Sequence, residues 1–540
     1  MNKVFKRLLD ARHLDQSFLH PKYEDLADPN LLPDCKKAVS RIKKALIENE
    51  KILVYGDYDV DGVTASTVME QALILAGAKK DHIEIMLPDR FADGYGMSPQ
   101  LIKKAEKDGI SLVITVDCGS SNHDIITELN HLGIDTIVTD HHETKDTLPD
   151  AIAIVNPKRR DYQASSGLRD LAGVGVAFKL ATALKHAGLI KNDQEKWLLD
   201  LVLLGTICDN MLLTSENRIL SFYGLKVLAK TRRPGLKELM QKAGVKNLNA
   251  ESIGFQIGPR LNAAGRLDTA DLSLNLLRAD SPVTAAALVE KLEALNKKRK
   301  NEQLFATKEI EKRGVSDDPV IIETGHWHEG ILGIVASRLV EDYHRPALVL
   351  TELDHHIFKG SGRSFGDFNL AQALDYTKEF IINGGGHAGA AGVKVDGKNL
   401  YQFREKINDY YRSLHLVNQE AFFRSHADLD LNDFSDLNLD LLADLKMLEP
   451  FGPGNEEPIF RLKNVQITSV TRMGAERNHL RLDLRDKTGK NLKCLAFFAP
   501  ESWLGLDPAC DQIEPLIKLT ENDFNGVHSL EARIIDINML

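Results

Sequence analysis

Three short apolar runs in the first 150 residues each stop on an acidic cluster, and that repetition limits what the chain can fold into. Lys51-Ile52-Leu53-Val54-Tyr55 runs into Gly56-Asp57-Tyr58-Asp59-Val60-Asp61-Gly62. Leu112-Val113-Ile114-Thr115-Val116 runs into Asp117-Cys118-Gly119, and Thr136-Ile137-Val138-Thr139 into Asp140-His141-His142-Glu143. Between them lie helix-like stretches (65–78, 99–108 and 123–132) long enough for right-handed crossovers. Such alternation predicts a parallel sheet, with ligand sites in the loops that leave the carboxyl ends of its strands. Asp57, Asp59, Asp61, Asp117, Asp140, His141 and His142 are therefore expected along one edge of one sheet.

Three carboxylates within five residues repel one another unless a cation neutralises them. A calcium-binding EF-hand loop needs a glutamate at position twelve, which counted from Asp57 is Val68, and it needs an entering helix where a strand is expected. That reading fails on both counts. A single aspartate after a strand is ordinarily a helix N-cap or turn residue, and a lone His-His pair is ordinarily structural. Three such signals at three successive strand ends point instead to a functional cluster. Carboxylates with imidazole suit Mn²⁺ or Mg²⁺, and no cysteine cluster suggests structural zinc.

These segments resemble the first three motifs of the DHH phosphoesterases. The apolar stretch Leu201–Cys208 followed by Asp209 supplies a fourth. Within that superfamily the pattern is most similar to the RecJ-type single-strand-specific 5′→3′ exonucleases. Supporting segments are Asp89-Arg90-Phe91-Ala92-Asp93-Gly94-Tyr95-Gly96, Gly258-Pro259-Arg260-Leu261-Asn262-Ala263-Ala264-Gly265-Arg266-Leu267 and Gly384-Gly385-Gly386-His387-Ala388-Gly389. The resemblance runs from about Lys51 to the C-terminal region. It departs at Asn210-Met211-Leu212-Leu213-Thr214, ahead of Glu216-Asn217-Arg218, which puts the shape of that loop in question.

At 540 residues the chain exceeds one hydrophobic core, and three or four domains are expected. No apolar run approaches the ~20 residues needed to span a bilayer, so no membrane association is expected. The N-terminal residues lack a signal-peptide core, and five scattered cysteines suggest reduced thiols in a cytoplasm. The net charge of −10 does not exclude nucleic acid, because two divalent ions offset the motif acids and basic residues can line a local groove.

The fold expected is multidomain α/β. Residues 1–45 form a helical lead-in, and 46–250 a parallel-sheet DHH catalytic domain. Residues 251–315 form a connector whose long helix spans Ser281-Pro282 to Lys312-Arg313. A smaller α/β DHH-associated domain covers 316–447, beginning at Val320-Ile321-Ile322-Glu323. A C-terminal OB-like β-barrel covers 448–540, suited to single-stranded nucleic acid. Glu449–Pro458 reads as a linker by composition.

The resemblance implies a two-ion site hydrolysing phosphodiester bonds of single-stranded DNA from its 5′ end, releasing mononucleotides in repair and recombination. It implies that Asp117 bridges the ions, with Asp57 and Asp59 on one and Asp61, His141 and Asp209 on the other. His142 is implied at the scissile phosphate and Asp140 behind the histidines. Arg90, Ser361 and Arg363 are implied at the 5′-phosphate, and Asn262 and Arg266 along the strand. Gly385, Gly386 and His387 sit in a glycine run whose amides can approach anionic oxygens, although a tight turn needs the same residues. Expected partners are single-strand-binding protein and a helicase, with a monomer as the working unit. Two other readings stay open: a phosphoesterase of dinucleotides or similar small substrates, and a non-catalytic DNA-binding scaffold.

Overall fold

The computed structural model describes residues 1–91, 96–163, 167–416, 426–524 and 526–540. Five parallel strands build the first sheet: β1 (Ile52–Tyr55), β2 (Ile83–Met86), β3 (Leu112–Val116), β4 (Asp135–Thr139) and β5 (Ala153–Val155). Their order is β2-β1-β3-β4-β5, so the chain reverses its direction of travel between β1 and β3. The apolar runs are buried on both faces, as a parallel sheet requires. Ile52, Val54, Ile114, Val116 and Ile137 face the larger core, which the helices Val60–Leu75, Gly173–His186 and Leu199–Cys208 complete. Leu53, Tyr55, Val113 and Val138 face helices Pro99–Asp108 and His123–His131 on the other side.

The sequence predicts a connector beginning at 251, but Ile253, Ile257, Leu261, Leu274 and Leu277 are buried in this same first core. The long helix Pro282–Arg313 also starts inside it, through Ala285, Val289 and Leu292. Its far end, through Ala306 and Ile310, packs under a second sheet. One rigid helix is thus anchored in two cores.

The second sheet contains β6 (Ile321–Gly325), β7 (Ala347–Glu352), β8 (Ile357–Arg363), β9 (Asn383–Gly386) and β10 (Ala390–Asp396), in the order β6-β7-β8-β10-β9. Only the β6–β7 pair is parallel. The third sheet is mixed and seven-stranded. It comprises β11 (Leu429–Leu431), β12 (Phe460–Leu462), β13 (Gln466–Met473), β14 (His479–Arg485), β15 (Asn491–Ala496), β16 (Ile513–Phe524) and β17 (Val527–Met539). Their order is β11-β12-β16-β17-β15-β14-β13. Because β11 pairs with β12, this unit starts ahead of residue 448, where composition placed its boundary.

The N-terminal lead-in also divides differently from expectation. Val4, Phe5, Leu8, Leu9 and Leu19 are buried in the core of the third sheet, whereas Cys35–Glu48 packs on the first. The segment after Leu448 is likewise no free linker. Arg218, only 2% exposed, donates to the carbonyls of Met447, Leu448 and Glu449 at 2.6–3.0 Å, and to that of Phe18 at 3.3 Å. Leu213 N–H donates to Pro453 O at 2.7 Å, so the loop that departs from the family pattern is the seat of this strap. Arg218→Met strands these buried carbonyls, each costing about 1–3 kcal/mol. We expect a loss of about 3 kcal/mol or more in stability, with hydrogen-exchange protection falling at both Lys3–Leu19 and 447–455. An unchanged melting curve would discount the clasp.

Candidate metal centre

The acids of the first three motifs leave β1, β3 and β4 at one sheet edge, beside the reversal between β1 and β3. Asp59 caps the helix Val60–Leu75, accepting from Gly62 N–H at 3.1 Å, so its N-cap role and its place in the cluster coexist. Asp61, the second residue of that helix, accepts from the N–H groups of Gly173 (2.6 Å) and Val174 (2.9 Å), the N-terminus of another helix. Asp117 has φ of 62°, a left-handed conformation that costs energy outside glycine and here turns the carboxylate back over the sheet edge. Asp209 arrives differently, as the C-cap of the helix Leu199–Cys208 rather than from a strand.

Three donor triplets result. Asp57, Asp59 and Asp117 each bring one ligand atom within 4.8 Å of the others, Asp61, His141 and Asp209 do the same, and so do Asp117, His141 and His142. His141 Nε2 lies 3.1 Å from Asp117 Oδ1, 3.6 Å from Asp209 and 3.8 Å from Asp61, so Asp117 stands between the first two triplets. Asp117 Oδ1 is buried and accepts no hydrogen bond. Burial and the neighbouring acids push Asp61 and Asp117 far above the usual carboxylate range. Burial, then Asp59, pushes Asp57 and Asp209 up to about 7. Burial lowers His141 to about 3, which leaves its ring neutral. A crowd of oxygen donors that resist charging alone, with one neutral imidazole, fits hard divalent cations such as Mn²⁺ or Mg²⁺.

Behind them, Asp140 Oδ1 lies 2.8 Å from His142 Nδ1 and accepts from the N–H groups of His141 (2.7 Å) and His142 (3.1 Å). Burial opposes charge on Asp140, but the His142 contact outweighs it and holds the carboxyl well below the usual range. Burial also opposes charge on His142, yet Asp140 raises it to about 9, so this imidazole is cationic at neutral pH.

These shifts fix a sign. Carboxyl groups raised in the folded state bind more protons than in the unfolded chain between about pH 4 and 7. The His142 contribution, present below its unfolded value near 6.5, is lost as pH rises through about 9. Both make the chelated protein less stable as pH rises, and the four raised carboxyls outnumber the opposing His141, whose lowered value favours folding as pH climbs towards 6.5. Loading with Mn²⁺ requires deprotonated acids and therefore opposes the trend. Melting temperatures in chelator and in Mn²⁺ should diverge from pH 5 to pH 8; parallel curves would contradict the coupling.

Family models match three stretches of the chain: DHH family, N-terminal domain over 51–206, DHHA1 domain over 317–413, and RecJ OB domain over 427–536. The single-stranded-DNA-specific exonuclease RecJ of Bacillus subtilis is 36% identical over 540 residues, covering 99% of this chain and 67% of that protein. RecJ of Escherichia coli is 34% identical over 537 residues, covering 94% of this chain and 90% of that protein. The chain belongs to the RecJ family. A crystal structure of Thermus thermophilus RecJ in complex with Mn²⁺ superposes with a TM-score of 0.85 at 28% identity, covering 100% of this chain and 76% of that one. A Mg²⁺ complex of the same RecJ gives 0.79 at 25% identity, covering 99% and 74%.

The RecJ-like residues outside the acids fall into two groups. Arg90 lies over the Tyr58 ring at 5.1 Å, and Asn262 Oδ1 accepts from Val60 N–H at 3.2 Å. Arg266 reaches Gly330 O at 3.4 Å, bridging to the second unit. Burial, then Arg90, Arg299 and Arg363, lowers Arg266 to about 10, which records how closely these cations face one another. Arg363 donates to Ser361 Oγ at 3.2 Å. Gly385 and Gly386 instead lie on exposed edge strand β9, and His387 N–H closes a turn onto Ala390 O at 2.8 Å. No hydrogen bond or ion pair among the described residues ties these three to the acids; register sets Ala390 opposite Arg363. Residues 92–95 of the Asp89–Gly96 segment lie outside the described residues.

Sequence reasoning missed two positions in this RecJ-family site. Asn156, which ends β5 by the same strand-end rule, donates to Ser120 Oγ (2.8 Å) and to His142 O (2.9 Å). Gly173 is the closer neighbour of the acids. A Cβ there would lie 2.5 Å from both Cβ and Oδ1 of Asp117.

Proposed function

We propose that the chain is a metal-dependent exodeoxyribonuclease that degrades single-stranded DNA from its 5′ end and releases 5′-mononucleotides. The observation that carries this reading is the set of donor triplets linked through Asp117 and His141, together with the mutually facing arginines Arg90, Arg266 and Arg363. When bound, two Mn²⁺ or Mg²⁺ ions supply a clamp on the scissile phosphate and a water made acidic enough to attack it. Asp57, Asp59 and Asp117 would hold one ion, and Asp61, His141 and Asp209, with Asp117 beside them, would hold the other.

Cationic His142 meets the scissile phosphate, with its ring fixed by Asp140. Arg90, Ser361 and Arg363 grip the terminal 5′-phosphate, which sets the cleaved bond at a fixed distance from that end and so gives polarity. Asn262 and Arg266 orient the strand, and the glycine run at Gly385, Gly386 and His387 supports the Arg363 end of β8. One chain contributes every residue of this site, so a monomer suffices. Substrates of this kind arise in cytoplasmic DNA repair and recombination, where a helicase and single-strand-binding protein expose and cover the ends.

The test uses a 5′-phosphorylated single strand labelled at its 3′ end, with Mn²⁺ and a duplex control. Progressive shortening of the single strand alone, stopped by chelator, is expected. Arg363→Gln should raise KM for the phosphorylated strand about 10–100-fold, and far less for a 5′-hydroxyl strand. Hydrolysis of dinucleotides with the long strand untouched would make the protein a small-substrate phosphoesterase instead.

A further inference from the structure

Beside Asp209 opens a cavity of about 730 Å³, shared by the first unit, the second and the strap after Leu448. Its wall includes Cys208 and Asn210, which flank Asp209, and the strand-orienting Asn262 and Arg266. Two features of that wall are unaccounted for by the metal centre.

The first is Phe255, which is 78% exposed although it points into a concavity. It lies in the five-residue π-helix Ile253–Ile257, inserted between Ala250–Ser252 and the helix Gly258–Leu267. Pro259 explains the insertion. In an α-helix its nitrogen would have to donate to the carbonyl of Phe255, four residues earlier, and its ring would clash there. The ladder widens instead, with Gly258 N–H donating to Ile253 O, five residues back. Such π-turns recur at functional sites, and this one leaves the aromatic ring facing open space rather than core.

The second feature is charge. Arg266, Arg299 and Arg533 line the same cavity without a carboxylate within ion-pair distance among the described residues, and Glu251, Glu449, Glu456 and Glu457 line it too. Lys518, opposite Arg533 across β16 and β17, is neutralised by Glu457 at 3.0 Å. Guanidinium groups free of direct carboxylate contact, in one cavity with an exposed ring, suit a phosphate strand that also carries aromatic faces.

We propose that Phe255 is a stacking platform for an unpaired nucleobase of the strand threaded past the metal centre. This rests on the reading of the chain as a single-strand exonuclease and adds a residue that senses the base rather than the phosphate. Stacking of this kind tolerates any base and is lost on truncation to alanine.

The experiment measures KM and kcat of the wild type, Phe255→Ala and Phe255→Trp on two 5′-phosphorylated single strands. One strand is fully based; the other carries a run of abasic residues behind its first nucleotides. We expect F255A to raise KM on the based strand about tenfold, with F255W restoring it. We expect the wild type to lose a similar factor on the abasic strand, where F255A adds no further loss. Equal losses for F255A on both strands, or no loss on either, would overturn the stacking role. A wild type that cuts neither strand would overturn the exonuclease reading itself, a separate outcome.

Discussion

Asp117→Asn is expected to lower Mn²⁺-dependent cleavage by at least about 10³-fold while the chain still folds. Asp117 links the Asp57–Asp59 donors to the His141 donors, through the 3.1 Å approach of its Oδ1 to His141 Nε2 and its place beside Asp57 and Asp59. Replacing it with an amide removes one of the carboxyls whose burial and mutual repulsion oppose charging. The chelated variant should therefore melt no lower than the chelated wild type. Its gain in melting temperature on adding Mn²⁺ should shrink as well, because ligands bind ions best as anions. Near-normal cleavage by D117N would remove the shared carboxylate from the mechanism.

Gly173→Ala should come second in effect, with about a 10²-fold loss of rate. The added methyl would sit 2.5 Å from Asp117 Cβ and Oδ1, well inside contact distance, in a wall fixed by Val174 and the helix Val60–Leu75. Asp117 already holds a left-handed backbone conformation and has little freedom to yield. The displacement falls on the metal pair, so the Mn²⁺ concentration for half-maximal activity should rise about tenfold or more. The same half-saturation with the same rate would show that the neighbouring helix gives way instead.

What could be read from the sequence was local in origin. Each of the first three motifs is an apolar run followed at once by acids, so strand, strand end and ligand set are encoded within a dozen residues. Helix Pro99–Asp108 was bounded to the residue because a serine cap, a proline at its first position and a closing glycine all lie in the chain itself. Gly173 could not be found that way. Its partner Asp117 is 56 positions earlier, and nothing in Ala172-Gly173-Val174 says which carboxylate will rest there. The strap after Leu448 misled for a related reason. Its prolines and glycines describe a chain without regular structure, but Arg218, more than 200 residues away, decides that this irregular chain is held fast. The fourth acid was legible as chemistry and not as geometry, since Leu201–Cys208 is apolar enough for strand or buried helix alike.

The burial of Val4, Phe5, Leu8 and Leu9 in the core of the third sheet has a consequence for biosynthesis. These residues are synthesised more than 400 residues ahead of partners such as Leu441, Leu480 and Ile534. At translation rates of about 5–20 residues per second the wait is on the order of tens of seconds. Throughout that time the catalytic sheet can fold while an amphipathic helix stays uncovered beside it. The nascent chain thus passes through a stage with a complete metal-binding edge and an unsatisfied apolar helix, which is covered only when β14 to β17 arrive.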